Sequence, residues 1–312
     1  MGRPLDRRAA LEGALLGTFA GDAIGRPYEG ASAVDRPEAE QRLADSLTQA
    51  ELRYTDDTQL ALALATHLVD HPDVEPEQLV EVMLDHFERS RGYGGGMYAV
   101  VEAWVRGAPI DVAAEVRFEG GSFGNGAAMR VAPLGVLHAE DRNRLEAAVI
   151  RASRPTHTHP VGIDGAWVQA RAVALARNRG RFGRDELVEV RGEARTDALR
   201  GPLSGARRLI EADEEPSLPE VAQRLGNAVV AARSVPAALW IAATADDLED
   251  AVVRALGVAG DTDTIGAMAA AIRGAAEGPD SIPAAWLERF EDGERGLTYA
   301  RDLARRLADS SR

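Results

Sequence analysis

The sequence predicts an all-α protein, and three observations lead there. Apolar residues recur at three- and four-residue spacings along most of the 312 positions. Alternating runs of β-branched residues, the mark of half-buried strands, are scarce. The Asn125-Gly126 pair leads into Ala127-Ala128-Met129, which reads as a helix start rather than a hairpin turn.

Taken in order, Asp6 is placed to cap a helix with Leu11, Ala14, Leu15 and Thr18 on one face. The Leu- and Ala-rich stretch 57–69 follows. Leu79, Met83 and Phe87 recur at i, i+4 and i+8 beside Val80 and Leu84, and Pro76 suits a first helical turn. Further helical patterns cover 97–106, 126–138, 142–153, 161–179, 184–199, 220–233, 247–257, 264–277 and 293–308. Ser217-Leu218-Pro219-Glu220 reads as a capping box. The stretches 31–50 and 211–219 read as linkers. No period suggests a solenoid, and one domain over residues 1–312 is expected.

Composition narrows the chemistry. Apolar residues make up 45% and charged residues 28%, as in a soluble globular protein. No apolar run reaches the length of a membrane span. The start, Met1-Gly2-Arg3-Pro4-Leu5-Asp6, lacks the apolar core of a secretory signal, so a cytoplasmic location is expected. With no cysteine, thiolate nucleophiles, disulfides and thiolate-bound metals are excluded. With no lysine, all 36 basic residues are arginine, which excludes Schiff-base catalysis and a P-loop lysine. The net charge of −14 disfavours tight binding to bare nucleic acid. Bound cations would offset part of it.

Two acidic clusters stand about two hundred residues apart, each ahead of an apolar helical pattern: Thr55-Asp56-Asp57-Thr58 and Asp261-Thr262-Asp263-Thr264. Either alone reads as an ordinary helix cap. Together they offer carboxylates and hydroxyls, the donor set chosen by hard cations such as magnesium, manganese or calcium. Three glycine-rich regions add a second theme. Arg91-Gly92-Tyr93-Gly94-Gly95-Gly96-Met97 precedes a helix and suits an anion. Gly120-Gly121-Ser122-Phe123-Gly124-Asn125-Gly126 could cradle a sugar phosphate with a stacked base. Gly21-Asp22-Ala23-Ile24-Gly25, followed by Tyr28-Glu29, could set a carboxylate at the mouth of a site. Thr156-His157-Thr158-His159-Pro160 lacks a third ligand for zinc, so one imidazole bonding a ligand is the stronger reading. His67, His71, His86 and His138 carry no site assignment, and Trp104, Trp167, Trp240 and Trp286 read as core.

In series these segments resemble the ADP-ribosylglycohydrolase family. The resemblance runs from about residue 9 to 278, through Gly13-Ala14-Leu15-Leu16-Gly17, Gly21-Asp22, the first acidic cluster, Gly124-Asn125-Gly126 with Met129-Arg130, Thr156-His157 and Gly260-Asp261-Thr262-Asp263-Thr264. It implies a single-domain helical bundle with a binuclear metal cleft holding two magnesium ions, or manganese. It makes Thr55, Asp56, Asp57, Asp261, Asp263 and Thr264 the metal ligands. It sets Gly94, Gly95, Gly96 and Met97 at the diphosphate of ADP-ribose. Gly121, Ser122, Phe123, Asn125 and His157 would line the remainder, with Phe123 stacked on adenine. Glu29 matches a mobile acidic residue that gates the metals in the ADP-ribose-serine branch, and the two glycine loops look more like that branch than the arginine branch. The sequence departs at Ala259, where the family often has glycine, and near residue 117, where no adenine contact matches.

The implied activity is hydrolysis of the glycosidic bond between ADP-ribose and a protein or small-molecule acceptor by a monomeric enzyme. The resemblance favours the serine O-linkage over the arginine N-linkage. Asp56 or Asp57 would take the proton of water, and Glu29 would assist the leaving group or only close the cleft. The alternative is a non-catalytic ADP-ribose-binding or crystallin-like member of the fold. A third reading is a magnesium phosphohydrolase that releases phosphate or AMP.

Overall fold

The first helix, Arg7–Gly25 (α1), begins where Asp6 accepts the Ala9 N–H at 2.9 Å. The structure, a computed structural model, describes residues 4–310; residues 1–3, within the start that lacks a signal pattern, and residues 311–312 lie outside the described part. After α1 come α2 (Arg36–Ser46), α3 (Asp56–Asp70), α4 (Pro76–His86), α5 (Gly95–Val105), α6 (Ile110–Glu115), α7 (Ala132–Leu137) and α8 (Arg142–Ser153). The chain continues through α9 (Pro160–Arg179), α10 (Arg184–Glu193), α11 (Asp197–Ile210), α12 (Leu218–Leu225) and α13 (Ala231–Thr244). It ends with α14 (Leu248–Val258), α15 (Thr262–Glu277), α16 (Ala284–Leu287) and α17 (Leu297–Ser310). Among the described residues β-structure is limited to two isolated bridges, Leu52 with Phe290 and Gly124 with Val230. The all-α reading therefore holds, and all four tryptophans lie in the core.

The differences from the sequence reading have local causes. The stretch read as a linker at 31–50 contains α2, a surface helix that buries only Ala39, Leu43 and Ser46 and so shows little apolar periodicity. The pattern at 126–138 becomes a helix only from Ala132. Before it, Arg130 folds back to donate to the Gly126 carbonyl at 3.0 Å. The single pattern at 184–199 is two helices. The Asp164 carboxylate captures the N–H groups of Arg195 and Thr196 at 2.7–3.0 Å, which takes the backbone out of helix between α10 and α11. The pattern at 220–233 also breaks, at Gly226, whose φ of +92° suits glycine. No described helix is long and apolar enough to cross a membrane.

The centre of the bundle is a glycine seam. Gly13, Gly17, Gly21 and Gly25 recur at i, i+4 and so share one face of α1. That face lies antiparallel against α15. A Cβ at Gly13 would fall 2.2 Å from the Gly274 carbonyl oxygen, one at Gly17 2.3 Å from that of Ala270, and one at Gly21 2.1 Å from the Gly266 carbonyl carbon. At the end of the seam a Cβ on Gly25 would stand 2.8 Å from the Asp263 Cα. Backbone-to-backbone packing of this kind fixes the start of α15, with its acidic cluster, beside the end of α1.

Buried histidines give the fold an acid limit. His67 lies in α3, and its Nε2 accepts the Glu75 N–H at 3.0 Å, which requires the neutral ring. Burial, and secondarily the neighbouring His71, lowers its pKa to about 4 from 6.5. A histidine with a depressed folded pKa favours folding above the unfolded value and loses that contribution as pH falls towards the folded one. Thermal stability is expected to drop between pH 6.5 and 4, and His67→Gln should flatten part of that slope. Parallel melting curves across this window provide the check.

Candidate metal centre and ligand cleft

The two acidic clusters meet. Thr55 caps α3, and its hydroxyl donates to Asp57 Oδ2 at 3.2 Å. Thr264, 207 positions along the chain, donates to the same oxygen at 3.3 Å. Carboxylate oxygens of Asp22, Asp57 and Asp263 lie within 4.8 Å of one another, and those of Glu29, Asp261 and Asp263 form a second such group. Asp263 belongs to both. Asp56 opens into the cleft without joining either triad.

The electrostatics are lopsided. No arginine forms an ion pair with Asp22, Asp56, Asp57, Asp261 or Asp263 among the described residues. Burial pushes Asp56 up to about 8, with the Asp22 charge adding to it. Burial also lifts Asp57 and Asp263 well above the usual carboxylate range, reinforced by Asp22 at the first and Asp261 at the second. Asp261 rises to about 6 through burial, moderated by a hydrogen bond from Asn125. Like charges at this spacing repel unless something positive stands between them. Asp57 Oδ1 is buried with no protein partner, a lone pair aimed at nothing the chain supplies. All-oxygen donors, unpaired charge and an orphaned buried oxygen fit a hard divalent cation.

Asp22 is the part of this centre to which sequence reasoning gave no role of its own. Of the two carboxylates in the third glycine-rich region, only the exposed Glu29 stands at the mouth. Asp22 is fully buried behind the ligands. Its carboxylate accepts the Thr55 N–H at 2.9 Å, the Thr58 N–H at 3.0 Å and the Thr58 hydroxyl at 2.6 Å. It thereby hangs the first acidic loop on α1, and the glycine seam holds the second to the same helix. The four-residue glycine period was the available signal for both.

Beside the carboxylates runs a cleft of about 340 Å³. Gly94, Gly95, Gly96 and Met97 line it at the N-terminus of α5, where free backbone N–H groups and the helix dipole favour an anion. A Cβ at Gly94 or Gly95 would meet no atom within 4 Å, so that end of the cleft is open. Ser122, Phe123 and Asn125 form part of the opposite wall. Gly121 does not: with φ at +89° it packs against Thr158, where a Cβ would lie 2.0 Å from the hydroxyl, and its task is to turn the loop. Phe118, absent from the expected set, also lines the cleft, with its ring centroid 6.0 Å from that of Phe123. It sits one position from the site near residue 117 where no match was found.

Two polar chains orient the wall. Asn125 Nδ2 donates to Asp261 Oδ2 and lies 3.0 Å from Ser234 Oγ, joining the glycine loop to the second acidic cluster. Arg130, wholly buried, donates to Thr156 Oγ1 at 2.7 Å, and that hydroxyl lies 2.7 Å from His157 Nδ1. Together Arg130 and Thr156 fix the imidazole from its Nδ1 side, which leaves Nε2 beside Gly124 and Gly126 in the cleft wall. Burial, helped by Arg130, lowers His157 to about 3, so the ring is neutral. The loop 226–230, read in the sequence as part of the helical pattern 220–233, completes the wall: the Val229 carbonyl accepts the Asn125 N–H at 2.9 Å, and the Asn227 carbonyl accepts that of Asp261 at 2.8 Å.

A helical fold that gathers unpaired carboxylates beside a helix N-terminus and exposed aromatic rings defines a class: helical proteins with a cleft whose residues fit hard cations and an anionic ligand. Comparison with known proteins gives the family. A family profile described as ADP-ribosylglycohydrolase matches residues 3–312, and the chain belongs to that family. The chain is 33% identical to ADP-ribosylhydrolase ARH3 of Danio rerio over 98% of its own length and 92% of the relative's. It is 29% identical to the Homo sapiens protein of that name, over 95% and 93%. A solved structure titled ADP-ribosylglycohydrolase-related protein complex superposes with a TM-score of 0.72 at 26% identity, covering 98% of this chain and 99% of the other. The chain is thus a hydrolase of ADP-ribose glycosidic bonds.

Proposed function

We propose that this chain releases ADP-ribose from modified acceptors by a cation-dependent route, with serine O-linked conjugates ahead of arginine N-linked ones. The observation that carries the cation dependence is the pair of carboxylate triads sharing Asp263, with no arginine paired to them. Two overlapping triads suit two ions, magnesium or manganese: Asp57, Asp261 and Asp263 would hold them from within the triads, Asp22 and Glu29 complete the two groups, and Thr55, Asp56 and Thr264 stand beside them. The linkage preference rests on the resemblance of the two glycine loops to the ADP-ribose-serine branch.

When bound, the cations supply positive charge that holds the sugar hydroxyls and makes a neighbouring water more acidic. The chain's own groups do the rest. The N–H groups of Gly94, Gly95 and Gly96 receive the diphosphate, while that of Met97, which donates to the Gly94 carbonyl at 2.9 Å, holds the turn beside it. Phe123 packs on the adenine, and Nε2 of His157 hydrogen-bonds the ligand. Asp56 opens to the cleft, a position that suits it to accept a proton from water as the anomeric carbon gains oxocarbenium character. Asp57, with both lone-pair faces engaged by hydroxyls or aimed inward, is the weaker candidate for base. Glu29, exposed at the mouth and close to Asp261 and Asp263, closes the site or protonates the departing oxygen.

The test is release of free ADP-ribose from peptides carrying a serine or an arginine linkage, with magnesium and after chelation. Faster release from the serine peptide, abolished by chelation, is expected. Undiminished release under chelation would remove the cations from the scheme. A faster arginine peptide would reverse the preference. Saturable binding without release would mark a non-catalytic member, and AMP or phosphate as product would mark a phosphohydrolase.

A further inference from the structure

Two chain segments feed the cleft. Residues 52–54 lead into Thr55-Asp56-Asp57, and residues 88–93 lead into Gly94-Gly95-Gly96. They are joined by a residue far from both in sequence, Glu291, in the segment before α17. Its Oε1 accepts the Tyr54 N–H at 2.9 Å and also a guanidinium N–H of Arg91. The same Arg91 nitrogen donates to the Tyr54 carbonyl at 3.0 Å, and the guanidinium carbon stands 3.7 Å from the centre of the Tyr54 ring. Backbone pairing holds Glu291 in place: Leu52 N–H donates to the Arg289 carbonyl at 2.7 Å, and Glu291 N–H to the Leu52 carbonyl at 3.1 Å.

A second tie runs parallel to the first. Gln59 lies one turn into α3, directly after the first acidic cluster. Its Oε1 accepts the Tyr93 hydroxyl at 2.7 Å and the Glu88 N–H at 3.1 Å. Glu291, Arg91, Tyr54, Tyr93 and Gln59 are all buried. A buried ion pair adds little net stability, because desolvation of both charges offsets their attraction; its best-attested use is to fix register. Here the pair sits between the two segments whose register decides the cleft. None of the five residues lines the cleft itself.

We propose that Glu291 is a positioning residue, one that sets the cation-holding segment against the glycine-rich loop so that each binds its own ligand only when the other is in place. The proposal rests on the roles given to these segments above. It predicts an effect on two ligands that Glu291 does not touch.

The experiment measures two constants separately on the full chain: manganese affinity without ADP-ribose, by electron paramagnetic resonance, and ADP-ribose affinity in chelator, by calorimetry. In Glu291→Gln both dissociation constants should rise about five-fold or more. Glu186→Gln serves as comparison, because Glu186 is another buried carboxylate paired with arginines, Arg179 and Arg181, outside the cleft. It should lower the melting temperature and leave both constants unchanged. If only one constant moves in Glu291→Gln, or neither, the register role is overturned. Equal shifts in Glu186→Gln overturn it as well, because the effect is then one of general destabilisation. Should Glu291→Gln fail to fold, Tyr93→Phe decides: weaker ADP-ribose binding at an unchanged melting temperature supports the proposal, and unchanged binding overturns it. A wild-type chain that binds neither ligand defeats the functional reading itself, whereas normal wild-type binding beside unaffected variants defeats only the register role.

Discussion

Asp57→Asn is expected to lower turnover by about 10³-fold or more, as when a fixed charge at a reacting centre is removed, while leaving the cation-free protein no less stable. The two halves of this result have one cause. Asp57 receives hydroxyls from both acidic clusters on Oδ2 and keeps Oδ1 buried without a partner. Burial and the charges of Asp22 and Asp263 raise its pKa well above the ordinary 3.8. A carboxyl whose folded pKa is raised opposes folding increasingly as pH climbs from the unfolded value through the folded one. At pH 8 the group therefore weakens the cation-free fold, because folding must either bury its charge or bind a proton. Asparagine keeps the shape, removes that penalty and cannot serve as an anionic ligand. In the wild type a cation at a hundred times its dissociation constant should add about 2.7 kcal/mol of stability. In the variant most of that gain should vanish. Melting curves with and without magnesium, beside initial rates, report both. A variant that keeps the full magnesium-induced shift would dislodge Asp57 from the centre.

The second large effect is expected from a residue with no functional group. Gly21→Ala adds one methyl where the seam allows none, 2.1 Å from the Gly266 carbonyl carbon. Ordinary contact begins at 3.4 Å, and both neighbours are backbone, so α1 and α15 must part. Overpacking of this kind typically costs about 1–3 kcal/mol, and occasionally more. Parting the helices also moves the Asp261-Asp263 end away from Asp57 by roughly 1 Å, a misplacement worth about 10²-fold in rate. Turnover should fall further than the melting temperature suggests, and magnesium affinity should fall with it. Normal kinetics in a folded Gly21→Ala protein would show that the seam does not set the geometry of the centre.

Much of this was legible in the amino-acid order, for physical reasons. Capping residues announce themselves locally, so the starts of α1, α3 and α12 could be read from Asp6, Thr55 and Ser217. The acidic clusters could be found because two unpaired aspartates side by side are poor structural motifs. Other features depend on tertiary partners. The break between α10 and α11 is made by Asp164 from another helix. The segment 226–230 acts through backbone carbonyls at Asn227 and Val229 and through the Asn227 amide, which donates to the Val258 carbonyl at 2.9 Å, and all three contacts reach partners remote in sequence. Gly121 matched a binding motif by type, yet its left-handed backbone and contact with Thr158 give it a folding role. Which of Asp22 and Glu29 stands at the mouth could not be read, because position along the chain does not reveal depth.

The seam between α1 and α15 also governs when the protein can first work. During synthesis α1 leaves the ribosome early, carrying a ridge of bare glycine backbone and the buried Asp22 with nothing to cover them. Its partner emerges only after some 250 further residues, and contacts of such sequence separation form late because loop closure must precede them. A nascent chain therefore cannot assemble the carboxylate centre until α15 has emerged, and through that interval the glycine ridge stays uncovered.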